Sequence, residues 1–299
     1  MCGIAGLFLK DETHSTALGG MLAEMLAVLS DRGPDSAGFA VYGQPTAGQV
    51  KLTLRAAAEG YDFAALAGRL AGHLQGEVAL LPRSTHAIVT LAEAERGAAE
   101  AWLRANAPEV SLFAAGRAME VYKEVGLPAS VSARFGLSAM AGSHAVGHTR
   151  MATESAVTTA GAHPFSTGPD QCLVHNGSLS NHCGLRRSLA HEGVTVETEN
   201  DSEVAAAYLT WQMSRGLNLG EALEASLKDL DGFYTFVVGT ERGFGVLRDP
   251  IACKPAVLAE TDDYVAFGSE YRALAGLPGI EAAKVWEPEP ATVYFWERP

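Results

Sequence analysis

Met1-Cys2-Gly3-Ile4-Ala5-Gly6-Leu7-Phe8 opens the chain, and the reading turns on its second residue. A side chain as small as cysteine's favours removal of the preceding methionine, which would leave Cys2 with a thiol and a free α-amine on one residue. An α-amine titrates near ~7.7–8.0 and is partly neutral at physiological pH, while a thiol titrates near ~8.5. The thiolate is a strong nucleophile, and an amine beside it can take its proton. Nucleophile and base would then arrive together, without a histidine. Residues 4–9 are also a short apolar run of the kind that forms a buried strand, so a second reading makes Cys2 simply a small buried residue opening that strand.

The chain of 299 residues can build a full core as one large domain or two smaller ones. Its net charge of −13 argues against nucleic acid and anionic membrane as partners, because each needs a basic face. No apolar run is long enough to span a bilayer, and the N-terminus lacks the pattern of a secretion signal. Cys2, Cys172, Cys183 and Cys253 lie far apart without a C-x-x-C pair, so neither a disulfide framework nor a metal site is expected. A reducing, cytoplasmic location follows as an expectation.

Outward from the first strand, Leu18, Met21, Leu22, Met25, Leu26 and Leu29 form a helical stripe that ends at Asp31-Arg32-Gly33-Pro34, and 37–42 reads as a strand. Residues 56–141 are alanine-rich. They suggest a strand at 86–91, a helix at 92–106, a strand at 110–114 and a helix at 118–125, hence a small α/β insert. Strand signals return at 145–149 and 172–175, followed by helices at 201–215 and 219–230. The remainder is strand-rich, at 233–238, 243–247, 255–259, 264–268 and 292–296. Strand clusters around paired helices predict two packed sheets sandwiched between helices.

Four further segments carry chemistry, and each also has a structural reading. Arg32-Gly33-Pro34-Asp35-Ser36-Ala37-Gly38 serves as a helix stop and turn, with more detail than a stop requires. In Gly147-His148-Thr149-Arg150-Met151-Ala152-Thr153-Glu154-Ser155, an arginine leaving a strand can fork onto a carboxylate, or merely be solvated. Asn-Gly in Val174-His175-Asn176-Gly177-Ser178-Leu179 fits a hairpin turn; equally, the Asn176 amide and a glycine N–H could converge on a developing oxyanion. Glu199-Asn200-Asp201-Ser202-Glu203 supplies a helix cap at Asp201 or Ser202, or a carboxylate for a substrate ammonium group.

In this order, Cys2-Gly3-Ile4, the Arg-Gly-Pro-Asp-Ser segment, the Gly-His-Thr-Arg motif, Ala162-His163-Pro164-Phe165, the His-Asn-Gly motif and Asn200-Asp201-Ser202-Glu203 resemble the glutaminase domain of class II glutamine amidotransferases. Arg248-Asp249-Pro250, Lys254-Pro255 and Phe267-Gly268-Ser269-Glu270 resemble later strands of the same domain. The resemblance implies the α+β fold of the N-terminal-nucleophile hydrolases, an αββα sandwich over residues 2–299 interrupted by the insert at 56–141. It makes Cys2 the nucleophile, and Asn176 and Gly177 the oxyanion hole. Arg150, helped by Thr153, would bind the carboxylate of L-glutamine and Asp201 its amine, with Arg32 and Gly3 in support and no metal. One departure is visible. Relatives that make hexosamine phosphate have Trp and His where this chain has Met151 and Glu154, which weakens a sugar-using assignment.

No phosphate loop or dinucleotide-binding glycine motif appears, so the ammonia acceptor is expected on another polypeptide. The arginine motif and the long insert look most like the small subunit of glutamate-synthase-like complexes, with N-methylglutamate synthase the favoured member. Such a resemblance implies no cofactor on this chain and FMN on a partner subunit. Two alternatives stand beside it: a glutaminase serving another acceptor enzyme, and a catalytically silent scaffold of the same fold. The insert is either part of a partner-docking surface or a stabilising decoration.

Overall fold

The computed structural model describes residues 1–152 and 156–298. Its first strand, β1 (Gly3–Leu9), is buried along its whole length because its two faces serve two cores. Ala5, Leu7 and Leu9 pack against α1 (Leu18–Val28), whose Leu18, Leu22, Met25 and Leu26 form one apolar stripe. Ile4 and Phe8 point the other way, into the space between two sheets. β2 (Ser36–Tyr42) follows the glycine–proline break and is likewise buried on both faces.

The insert is displaced from its expected bounds. β3 (Gln49–Ala56), α2 (Phe63–Ala71), β4 (Ala79–Arg83), β5 (His86–Ala92), α3 (Arg96–Asn106) and β6 (Val110–Gly116) build a four-stranded sheet of order β4-β5-β3-β6. Val50, Leu52, Leu54, Phe63, Leu66 and Leu103 give it a core of its own. It therefore begins at Gln49, where alternation of Val50, Leu52 and Leu54 marks a strand, and it ends at Gly116 rather than at 141.

The expected helix at 118–125 is instead a strand, β7 (Met119–Val125), paired antiparallel with β2. Met119 and Val121 face the space between the sheets, while Tyr122 joins the core on the opposite face. That is a two-residue period, and it overrides the helix-forming alanine, methionine and glutamate. α4 (Pro128–Phe135) then packs beside α1, and β8 (His144–Arg150) enters the sheet between β1 and β2.

The second half supplies β9 (Phe165–Gly168), β10 (Gln171–Leu179), α5 (His182–His191), α6 (Asp201–Ser214), α7 (Leu219–Asp229), β11 (Gly232–Gly239) and β12 (Gly243–Arg248). β13 (Val257–Glu260), β14 (Tyr264–Gly268), β15 (Lys284–Trp286) and β16 (Thr292–Glu297) complete the chain. A seven-stranded sheet, β15-β13-β14-β1-β8-β2-β7, stacks on a five-stranded one, β16-β12-β11-β10-β9. Val146, Val174, Val237, Phe244 and Val246 fill the space between them. α1 and α4 cover the outer face of the larger sheet, and α5, α6 and α7 that of the smaller, which is the αββα sandwich. No helix among the described residues is long and apolar enough to cross a membrane.

One carboxylate ties the insert to the sandwich. Asp170, in the turn between β9 and β10, accepts from the backbone N–H groups of Arg117, Ala118 and Met119 at 2.6, 2.9 and 2.9 Å. Tyr42 donates to the Asp170 carbonyl at 3.1 Å and stacks on His144 at 3.9 Å. Asp170→Ala removes the only side chain, among the described residues, that meets those three N–H groups and should destabilise the fold by roughly 2–4 kcal/mol. The midpoint of urea unfolding at constant pH reads this directly.

Candidate active site

Pairing of β1 with β8 sets Gly3 opposite Thr149 and Ile4 opposite His148, which carries Cys2 alongside the end of β8. A Cβ at Gly3 would lie 2.8 Å from Thr149 Oγ1 and 3.1 Å from Leu29 Cβ, so a larger residue there would crowd both side chains. The Cys2 sulfur lies 3.4 Å from the Met151 N–H and 3.6 Å from the Met151 carbonyl. Its own carbonyl accepts from Arg32 Nε at 3.1 Å and from Asn176 Nδ2 at 3.2 Å. Arg32 also reaches Glu270 at 3.4 Å. The half-buried thiol is raised by loss of water, but hydrogen bonding and charge from His148, with the Met151 N–H, outweigh this and bring it to about 7.

Asn176 and Gly177 lie inside β10, each paired with β11, so no hairpin turn forms there. Gly177 has φ +147°, and a Cβ on it would meet the Phe233 carbonyl 1.9 Å away. Only glycine fits that strand position. The Asn176 amide is held at both ends: Nδ2 on the Cys2 carbonyl and, at 3.2 Å, on Ser269 Oγ, and Oδ1 3.0 Å from His148 Nε2.

Asn200 caps α6, its side chain accepting from the Ser202 N–H at 2.9 Å. Asp201 is thus the first helical residue, and neither it nor Ser202 is the cap. One of its oxygens accepts from the Leu179 N–H at 2.9 Å, and the other stands 3.8 Å from His175 Nδ1. Ser202 Oγ bridges His163 and His175, both at 2.9 Å. Burial lowers both rings, His175 to about 4, so both are neutral at physiological pH.

Arg150 is buried at the end of β8, with Nη1 3.3 Å from the Ala156 carbonyl. The Arg32–Asp35 segment does more than end a helix: Asp35 takes the Ala152 N–H at 2.8 Å, and its own N–H reaches the Arg150 carbonyl at 3.0 Å. Beyond Ala156 the loop is clasped from two sides. Lys123, buried and drawn down to about 7 by burial, donates to the carbonyls of Ala160, Ala162 and Pro164. Thr159 bonds Glu124 of β7, and Arg55 of the insert reaches Thr159 at 3.4 Å.

Cys2, Arg32 and Asn176 are therefore joined directly, Arg150 adjoins the Met151 that touches the thiol, and Asp201 is anchored on the strand bearing Asn176. Thr153 lies outside the described residues. His148, Ser269 and Ser202 were not singled out from sequence, although all three stand within quoted motifs; their roles depend on contacts between strands far apart in the chain.

The sandwich with a cysteine at the head of its central strand defines the N-terminal-nucleophile architecture. Glutamine phosphoribosylpyrophosphate amidotransferase from B. subtilis shares it with a TM-score of 0.63 at 20% identity, over 99% of this chain and 47% of its own, so this chain spans about half of that protein. The glutamine amidotransferase domain model matches residues 148–276. The chain is 62% identical over 298 residues to the glutamine amidotransferase-like protein GlxB of Rhizobium meliloti, covering 99% of this chain and 98% of that one. It is 32% identical to a putative glutamine amidotransferase of Methanothermobacter thermautotrophicus, over 99% and 100% of the two chains. The chain belongs to the class II glutamine amidotransferase family, whose enzymes act on the amide of glutamine.

A thiol near 7 has a thiolate half formed at neutral pH. Alkylation of Cys2 by iodoacetamide should reach half its limiting rate near pH 7, two units below the ordinary 9.0. Buried Cys172, pushed up to about 12, should stay unmodified. Peptide mapping after timed quenching across pH 5–9 resolves the two.

Proposed function

We propose that Cys2, once Met1 is removed, hydrolyses the side-chain amide of L-glutamine. The observation that carries this is the Cys2 setting, with a lowered thiol against Met151 and a backbone carbonyl held by Asn176 and Arg32. While Met1 is attached, the Cys2 nitrogen is an amide and cannot take a proton. After removal its α-amine accepts the thiol proton as sulfur attacks the glutamine amide carbon. The carbonyl π electrons move onto oxygen, and the Asn176 amide with the Gly177 N–H receives that oxyanion. Collapse breaks the C–N bond, the departing NH2 takes a proton from the α-ammonium and leaves as ammonia, and a thioester remains. Water then splits the thioester to glutamate and free thiol. Arg150, with Thr153, holds the substrate carboxylate by charge-assisted hydrogen bonds, and Asp201 holds its ammonium group.

The released ammonia would pass to a separate synthase subunit of the glutamate-synthase type, N-methylglutamate synthase being the member favoured by the arginine motif and insert. FMN would belong to that partner. Mixing the purified chain with such a partner should couple glutamine hydrolysis to amination. Hydrolysis that never couples would point to another acceptor enzyme, and no hydrolysis with or without a partner would point to a silent scaffold.

Cys2→Ala should lower glutamate release by at least about a thousandfold. Arg150→Lys keeps the charge but loses the fork, and should raise KM for glutamine about tenfold with little change in kcat. Intact mass of the active protein should lack one methionine; full activity in material that retains it would overturn the mechanism.

A further inference from the structure

We infer that His148 is a positioning residue that locks the Asn176 amide in the one orientation able to serve an oxyanion at Cys2. This rests on the glutaminase reading above. His148 lies on β8 and is completely buried. Its Nε2 is 3.1 Å from the His175 carbonyl and 3.0 Å from Asn176 Oδ1. A carbonyl oxygen can only accept, so Nε2 must carry the hydrogen, and it donates to Asn176 Oδ1 as well.

The amide orientation follows. With Oδ1 on His148, Nδ2 faces the Cys2 carbonyl and Ser269 Oγ. Flipping the amide would set NH2 against the Nε2–H and oxygen against the Cys2 carbonyl, donor on donor and acceptor on acceptor in a buried site. Ser269 does not enforce the choice, because a hydroxyl can donate or accept. The ring is itself fixed: His163 stacks on it at 4.0 Å, and His163 is pinned through Ser202. The other ring nitrogen, Nδ1, is buried without a hydrogen-bond partner among the described residues. Against the raising effect of burial, the same ring is the largest influence lowering the Cys2 thiol.

The test compares His148→Leu, which has no donor, with His148→Gln, whose amide nitrogen can occupy the Nε2 position. His148→Leu should lower kcat for glutamine hydrolysis by roughly tenfold or more, up to the ~10²–10³ that loss of a whole oxyanion donor costs, with KM changed less than about threefold. His148→Gln should recover most of that loss. In an Asn176→Ala background His148→Leu should cost less than about twofold more, because the two act as a unit. Fully additive losses, or no recovery with glutamine, would overturn the inference. His148→Asn, with a donor only at the Nδ1 position, replaces leucine if that variant does not fold. If the wild-type protein turns over no glutamine, the glutaminase reading fails separately, and hydrogen exchange of the Asn176 side-chain amide, followed by NMR, decides the orientation. Slow exchange in wild type and His148→Gln with fast exchange in His148→Leu supports it; equal rates in all three sink it.

Discussion

The register between β1 and β8 is the constraint on which the site depends. A strand's side chains alternate faces, so a slip of one residue would turn Cys2 away from the space between the sheets. Gly3 opposite Thr149 suits that register, because a side chain there would crowd Thr149 Oγ1 and Leu29. The chain terminus is thereby turned from a frayed end into a held one. The same pairing puts His148 across from Ile4 and Arg150 at the strand's exit, so one ladder positions Cys2, the partner of the Asn176 amide and Arg150 together.

His163 and His175 are buried and neutral, bridged by a serine hydroxyl that can adapt its direction to both. In such low-dielectric surroundings a carboxylate or guanidinium acts with little screening. The thiol is drawn down by hydrogen bonding and charge from His148 and by the Met151 N–H, against the raising effect of burial.

Much of this was legible in the chain. Strands 4–9, 37–42 and 264–268 and the helices after Asn200 and Asn218 stand close to their expected places, because each is a long run with a single dominant period. The helix expected at 118–125 failed where good helix formers were recruited as a strand beside β2, a choice made by tertiary pairing and not by local preference. The insert's edges failed for a related reason: β3 was overlooked, so the boundary moved past Gln49. Asn176-Gly177 read equally as a hairpin turn in sequence, and its place within a strand follows from Phe233 and Tyr234, which lie far along the chain. His148, Ser269 and Ser202 act only through partners brought together by folding.

The clasp on Thr159 has a consequence for how this family could be taken apart. Arg55 of the insert and Glu124 of the body hold the same hydroxyl, on the stretch that leads back to Ala156 and Arg150. A chimera that exchanged the four-stranded module between relatives, cut at Gln49 and Gly116, would carry Arg55 away while leaving Thr159 behind. Modular replacement therefore needs matched residues at that seam. Without them, a graft far from the sulfur would loosen the stretch that leads back to Arg150.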